Sequence, residues 1–308
     1  MKPNCYATLL TTESYAVGVE VLAKCLYSHG SRYPLIVLCT DEVSDKSIAS
    51  IEQLPNVSVK KIHKLLPSAK AVTNFVFERF ADVFTKFEVW KLIEYEKMLI
   101  LVVIPSNVGK KACKTHTPQV CLLDADMLVI KNMDEVFDLL TEGRELASTS
   151  ACICNVMSNP RYPAHWIKEN CAHTWKGRSQ PLPSSAPRAL NAGILLLRPS
   201  METFRVMNDF LSTTTDLTKY QFPEQDWLNE YFPDWVELPY IYNALKTMSI
   251  FHANVWNMDD VKNIHYIMEK PWDFTPEEPE FGKSPYVEYK ELNQMWWNVN
   301  RSPLHREE

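Results

Sequence analysis

The stretch "VCLLDADMLVI", residues 120–130, sets Asp124 and Asp126 directly behind an apolar run. A short apolar run without alternation suits a central strand of a sheet buried on both faces. Desolvating an ionised carboxylate is costly, so charges at such a place need partners. Residues i and i+2 of a strand point to the same side, which brings the two carboxylates together, where they repel unless a cation lies between them. D-A-D is a weak motif alone, since a random match is expected roughly once in a chain of this length. Its position at the mouth of a strand gives it weight. The plain alternative is a strand-terminal turn whose first aspartate caps the following segment. As a cation site, hard carboxylate oxygens favour Mg²⁺ or Mn²⁺, and one histidine ligand tilts the choice to Mn²⁺.

Working outward, strand and helix signals alternate through the first half. "CYATLLT" reads as a strand, and "ESYAVGVEVLAKCLYSHG" as a helix closing on Gly30. "YPLIVLCT" is a buried strand, "SDKSIASIEQL" a short helix opened by Ser44 or Asp45, and "VSVKKIH" another strand. "RFADVFTKFEVWKLIEYEKM", residues 79–98, predicts a helix with an apolar stripe at Phe80, Phe84, Phe87 and Leu92. Strands alternating with helices argue for an α/β fold with a doubly wound, mostly parallel sheet. Ligands of such sheets bind outside the carboxyl ends of the strands, where Asp124 and Asp126 lie. Residues 150–190, rich in Pro, Ser, Asn and aromatics, read as an extended active-site loop region. "ALNAGILLLRPS" is a further strand, "METFRVMNDFLSTT" a helix, "PEQDWLNEYF" a helix start and "VKNIHYIM" a late strand. The apolar-aromatic "LNQMWWNVN" near the end is expected to pack back on the body.

Composition narrows the function classes. The 308 residues can bury a large core, and 46% hydrophobic with 23% charged residues is ordinary for a globular chain. A net charge of -6 argues against a nucleic-acid partner. The longest apolar run, "MLILVVI" at 98–104, falls far short of the roughly 20 residues of a membrane span. No secretory signal is visible, and the eight scattered cysteines are expected to be reduced thiols of a cytoplasmic protein. Cys152, Cys154 and Cys171 with His173 give C-x-C-x16-C-x-H, which fits none of the common zinc spacings.

Three further groups could carry chemistry. His265 ends the late strand, and Lys270 follows closely enough to neutralise a phosphate bound to the same metal. Glu224, Gln225 and Asp226 open a helix, where acids favour the dipole but could also present a carboxylate and an amide to a sugar-sized pocket. Asn191, Ala192 and Gly193 interrupt an apolar strand, and small residues there allow close backbone approach to a ligand.

In this order these elements resemble glycosyltransferase family 8, the glycogenin and galactinol synthase group. The resemblance runs over nearly the whole chain, through "TLLTTESYAVGVEVLAKCL", "FTKFEVWKLIEYEKM", "LLDADMLVIKNMDEVF", "LNAGILLLRPS", "PEQDWLN", "LPYIYN" and "IHYIMEKPW". It implies a GT-A fold, with a Rossmann-like sheet flanked by helices and a DxD motif at the carboxyl end of a central strand. It further implies Mn²⁺ on the diphosphate of a UDP-sugar, and hexose transfer with retention of configuration. By the same resemblance, Asp124, Asp126 and His265 are the metal ligands. Leu10, Thr11, Thr12 and Tyr15 hold the uracil and ribose, while Arg79 and Lys86 lie near the donor phosphates and sugar. Ala125 joins the aspartates at the donor, Asn191, Ala192 and Gly193 lie against its sugar, and Lys270 meets the diphosphate. Glu224 stands where relatives carry an aspartate or glutamate and binds the sugar hydroxyls, Gln225 stands by the anomeric carbon, and with Lys86 they make up the implied catalytic group. Residues 1–275 form the implied domain and 276–308 a C-terminal extension. The implied partners are a UDP-sugar donor and a small polyol or sugar acceptor, and the resemblance admits a homodimer.

Departures from the family pattern separate its subgroups. Glycogenin glucosylates a tyrosine of its own chain, and Phe251 stands at that position here, leaving Tyr240 and Tyr242 nearby. "ACICN", "FPEQDWLN" and "MWWNV" are more similar to galactinol synthases, which move galactose to myo-inositol. Met268 and Glu269 replace a glycine of relatives after His265, and about residues 99–119 are an insertion. A glycogenin-like glucosyltransferase and a non-catalytic nucleotide-sugar-binding member of the fold are the alternatives. A metal-dependent phosphohydrolase would need a second cluster of His and Asp ligands, which the sequence does not display.

Overall fold

Strand β1 (Cys5–Leu10) sends Tyr6 and Leu10 into one apolar layer and Cys5 and Ala7 into the other. It opens a computed structural model describing residues 4–93, 118–284 and 287–304, without the side chains of residues 78, 79 and 81. Residues 94–98 of the expected helix, 99–117 of the insertion and 305–308 of the extension therefore lie outside the described residues, as does the side chain of Arg79.

Helix α1 (Ala16–Ser28) follows β1, and Gly30 ends its turn at φ 68°, a conformation that costs glycine little. Strand β2 (Leu35–Cys39) leads to α2 (Asp45–Glu52), whose first turn is capped by Ser44 Oγ accepting from the Ser47 N–H at 3.2 Å. Strand β3 (Val57–Lys61) completes the first βαβαβ run.

The expected α-helix over 79–98 is instead a chain of 3-10 turns over Glu78–Lys91. Phe84, Phe87 and Trp90, all buried, recur every third residue. That spacing aligns them on one face at three residues per turn, and the face packs on the sheet.

The apolar stretch that opened the sequence reading is not one strand. It splits into β4 (Val120–Leu123) and β5 (Met127–Val129), which belong to different sheets, with residues 124–126 as the turn between them. The remaining elements are β6 (Leu146–Ser150), α3 (Ala172–Gly177), β7 (Leu190–Leu197), α4 (Met201–Thr213), α5 (Pro223–Tyr231), β8 (Val236–Glu237), β9 (Ala244–Leu245), α6 (Met248–Phe251), β10 (Asn263–His265) and α7 (Lys290–Arg301).

The large sheet has the order β3-β2-β1-β4-β7-β6-β8, and only β7 runs against the others among the described residues. Helices cover both faces, as a mostly parallel sheet requires. α1 and α2 lie on one face, and the 3-10 segment, α4 and α5 on the other. The small sheet, β5-β10-β9, hangs from the end of β4. α7 packs beside α1, with Trp296 fully buried and Trp297 Nε1 donating to the Pro271 carbonyl at 2.8 Å.

Gly18 lets α1 close over the aspartate turn. A Cβ there would stand 2.4 Å from the Ala125 carbonyl oxygen and 3.0 Å from the Trp272 ring. Replacing a helical glycine by alanine gains about 1 kcal/mol of propensity, whereas overpacking costs roughly 1–3 kcal/mol. Because the obstructing atom is backbone, we expect the cost to dominate. Gly18→Ala should lower the urea midpoint at unchanged m-value; a higher midpoint would mean that α1 can shift away freely.

Candidate active site

The turn after β4 presents Asp124 and Asp126 to groups from four other segments. Pairing of β5 with β10 sets His265 opposite Met127, and the Tyr266 N–H donates to the Asp126 carbonyl at 2.9 Å. His265 Nε2 thereby comes within 3.2 Å of Asp126 Oδ1 and 3.9 Å of Asp124 Oδ2. The same-side argument from strand alternation does not apply, since neither aspartate is in a strand; the turn and β10 achieve the convergence instead.

The tautomer of His265 follows from its other nitrogen. Asn243 Nδ2 donates to Thr149 Oγ1 at 2.8 Å and to Asn191 Oδ1 at 2.9 Å, which turns Asn243 Oδ1 toward His265 Nδ1 at 2.8 Å. Nδ1 therefore donates to Asn243, and Nε2 is the nitrogen that faces the aspartates. Two carboxylate oxygens and an imidazole nitrogen, all within 4.8 Å of one another, form a set of three potential ligand atoms. Such a set fits a divalent cation, and oxygens with one imidazole suit Mn²⁺ or Mg²⁺. The Asn243 amide that orients the ring has the form of an outer-shell partner.

Cationic side chains offset the carboxylates on two sides. Lys86, from the 3-10 segment, is buried and lies 2.8 Å from Asp124 Oδ1 and 3.3 Å from Glu224 Oε1, and donates to the Ala192 carbonyl at 3.1 Å. Burial opposes its charge, but Asp124 and Glu224 together hold its pKa above the usual lysine value. Lys270 Nζ donates to Asp126 Oδ2 and to the Tyr266 carbonyl. Burial alone would raise the Asp126 carboxyl, yet the Lys270 ammonium beside it holds it well below the usual range.

The segment 191–193 serves mainly as scaffold for these groups. Asn191 Oδ1 also accepts from the Gly193 N–H at 3.0 Å, and the Gly193 carbonyl accepts from the Asp124 N–H at 2.9 Å. A Cβ on Gly193 would lie 2.4 Å from His265 Cε1, so this glycine makes room for the histidine. Ala192 has both backbone groups engaged, its N–H reaching Gln225 Oε1 at 3.3 Å. Glu224 and Gln225 are buried in the first turn of α5 beneath it.

The other sequence-predicted residues differ in burial. Ala125 is buried in the turn. Leu10 is in the core, so only its backbone can face a ligand. The Thr11 carbonyl accepts from Thr40 Oγ1, and Thr12 Oγ1 lies 3.3 Å from Ser14 Oγ. Tyr15 packs edge-on against Trp272 at 5.4 Å, with Lys270 Nζ 5.9 Å from its ring centre. Sequence reasoning gave no role to Asn243 or to Lys246. Asn243 sits in "LPYIYN", where nothing in the sequence points it at a histidine 22 residues later. Burial lowers Lys246 to about 8, and its Nζ lies 3.7 Å from Glu269 Oε2 and donates to the Glu269 carbonyl. The extra acid after His265 is thus paired to a buried lysine. Met268 holds φ 66°, a conformation that costs an L-residue roughly 1–2 kcal/mol.

The sequence model of "Glycosyl transferase family 8" matches residues 7–275. The chain belongs to that family. It is a glycosyltransferase of the GT-A fold. Galactinol synthase 1 of Solanum lycopersicum is 28% identical over 305 residues, 97% of this chain and 82% of that protein. Galactinol synthase 2 of Arabidopsis thaliana is 28% identical over 302 residues, 96% and 80%. Among solved structures, the galactosyltransferase LgtC in complex with donor and acceptor sugar analogs superposes with a TM-score of 0.56 at 13% identity, covering 99% of this chain and 98% of its own. The glycosyltransferase GlyE of Streptococcus pneumoniae TIGR4 gives 0.56 at 14% identity, and this chain spans 62% of its length. No helix among the described residues is long and apolar enough to cross a membrane.

Beside Glu224 and Gln225, Asp226 accepts from the Phe222 N–H at 2.8 Å and closes the start of α5. Desolvation nevertheless raises its carboxyl to about 6. A raised carboxyl contributes stability below its unfolded pKa, and that contribution is lost as pH rises through the folded value. Asp226→Asn keeps an acceptor for Phe222 and removes the titration. Its gain over the wild type should grow from near zero at pH 4 to about 2–3 kcal/mol at pH 7.5, read from urea unfolding at both pH values. A difference independent of pH would show that Asp226 is solvated.

Proposed function

We propose that the chain transfers a hexose from a UDP-sugar to a small polyol with retention of configuration, in the manner of a galactinol synthase, using UDP-galactose and myo-inositol. The observation that carries this reading is the convergence of Asp124, Asp126 and His265 Nε2 within 4.8 Å of one another in a family 8 glycosyltransferase. A divalent cation held there, Mn²⁺ in our reading, would supply Lewis acidity at the leaving diphosphate. Lys270 would exchange its Asp126 partner for a diphosphate oxygen, placing a positive charge where the leaving group gains negative charge. Lys86 holds Glu224 in place, and Glu224 would bind sugar hydroxyls. Gln225 is an amide with its oxygen occupied by Ala192, a poor nucleophile. We therefore favour attack of the acceptor hydroxyl on the face the diphosphate leaves, without a covalent enzyme intermediate.

The acceptor assignment rests on the galactinol synthases that match over most of the chain and on the tyrosines. Phe251 has no hydroxyl, and Tyr242 Oη donates to Glu135 Oε1 at 2.8 Å from a buried position. Tyr240 Oη accepts from the Asn257 N–H at 2.8 Å. Phe251 is thus excluded as a self-glycosylation acceptor, and Tyr242 is buried and engaged.

UDP release measured with Mn²⁺ and UDP-galactose, UDP-glucose or UDP-N-acetylglucosamine, each with and without myo-inositol, tests the proposal. We expect an inositol-dependent signal from UDP-galactose, reduced at least a hundredfold in Asp126→Ala. Turnover indifferent to inositol would sink the acceptor assignment while leaving the transferase.

A further inference from the structure

Away from the aspartates, a second cluster lies at the base of the long crossover between β6 and β7. Cys152 and Cys154 follow β6, Cys171 precedes α3, and His252 caps the C-terminus of α6. His252 Nε2 is 3.2 Å from Cys152 Sγ, 3.4 Å from Cys154 Sγ and 3.7 Å from Cys171 Sγ, and all four ligand atoms lie within 4.8 Å of one another. Cys154, Cys171 and His252 are buried, and Cys152 is half-buried. The sequence set His173 beside the three cysteines in a spacing that fits no common zinc pattern, and the structure puts His252 there instead. His173 turns its Nε2 to the Ser150 carbonyl at 2.9 Å and leaves the fourth corner to His252, 81 residues beyond Cys171.

We propose that Cys152, Cys154, Cys171 and His252 form a closed, tetrahedral Zn²⁺ site with a structural role. With Zn–S near 2.3 Å and Zn–N near 2.0–2.1 Å, a regular tetrahedron has S···N edges of about 3.6 Å and S···S edges of about 3.8 Å. The three S···N distances of 3.2, 3.4 and 3.7 Å bracket the expected edge. All three thiols are free, with no disulfide among them. Thr174 Oγ1 lies 3.6 Å from Cys154 Sγ, placed to donate to a thiolate as outer-shell groups do. Four protein ligands fill the coordination sphere, so no position remains for substrate, which marks a structural rather than a catalytic centre. Binding replaces the three thiol protons with one Zn²⁺, and no oxidation is involved.

The two clusters differ in chemistry as well as place. Thiolates are soft donors that select zinc, whereas Asp124, Asp126 and His265 offer mainly hard oxygen to Mn²⁺ or Mg²⁺. The metal would fasten the crossover of residues 151–189, which has little regular structure beyond the six-residue α3, to the end of α6. From this anchored crossover Trp166 stacks on Phe222 at 4.2 Å between ring centres, two residues before Glu224. The site thus steadies the wall beside the candidate active site without touching it.

Metal analysis of the intact protein, purified without chelator, tests the proposal. We expect about one zinc per chain, retained in Asp126→Asn and reduced at least fivefold in Cys171→Ser. Because Cys171→Ser could unfold, a second measurement uses the unmutated chain reconstituted with Co²⁺. It should give the thiolate-to-metal charge-transfer absorption in the near ultraviolet and the intense visible bands of tetrahedral cobalt. Less than a tenth of a zinc per chain, zinc that disappears in Asp126→Asn, a cobalt spectrum without thiolate bands, or a disulfide joining any two of the three cysteines would each overturn it.

Discussion

The compensation of buried charge at the end of β4 governs the site. Asp126 is almost fully enclosed and Asp124 largely so, and unpaired carboxylates there would cost several kcal/mol each. Every neighbouring element contributes to their neutralisation or solvation. The 3-10 segment brings Lys86, the loop after β10 brings Lys270, and β10 itself brings the His265 imidazole. Lys86 in turn requires Glu224, since a single buried cation shared by two carboxylates joins α5 to the turn. Gly18 and Gly193 are conditions of this arrangement: one lets the helix close over the turn, the other lets the histidine approach it.

The alternation of strand and helix signals made the parallel sheet legible, because strands buried on both faces are apolar without period and helices of such a fold are striped. The aspartates stood out for a related reason, being charges where the pattern required none. What the pattern could not convey was where the chain turns. "LLDADMLV" reads as continuous because β4 and β5 are both buried, and only their membership of different sheets separates them. The 3-10 segment was concealed similarly: aromatic residues at every third position also satisfy a broad helical stripe. Asn243 and His252 were invisible because their partners are distant in sequence and the residues themselves stand in unremarkable loops. Grouping only nearby residues put His173 with the three cysteines, in a spacing that argued against zinc, for want of any local signal for His252.

The loop after His265 carries its own local accommodation. Glu269 adds a carboxylate to this loop, and Lys246, buried beneath it, takes up both its carboxylate and its carbonyl. Met268 retains the left-handed backbone that a glycine would adopt freely and keeps its side chain in solvent. The loop geometry after His265 is therefore maintained at some conformational cost, and with it the approach of Lys270 to Asp126.

The reversed direction of β7 explains why one short segment can serve so many roles. In a purely parallel sheet every strand delivers its carboxyl end to the ligand side, and the amino ends lie opposite. β7 runs the other way, so its first residues meet the last residues of β4, with Leu123 opposite Ile194 and the Asp124 N–H on the Gly193 carbonyl. Asn191, Ala192 and Gly193 consequently enter the site from the backbone of the sheet itself, more rigidly than a loop could hold them. From there Asn191 steers Asn243, Asn243 sets the tautomer of His265, and the Ala192 carbonyl fixes Lys86. One inverted strand thus couples the metal-ligand side of the site to the side where Glu224 and Gln225 stand.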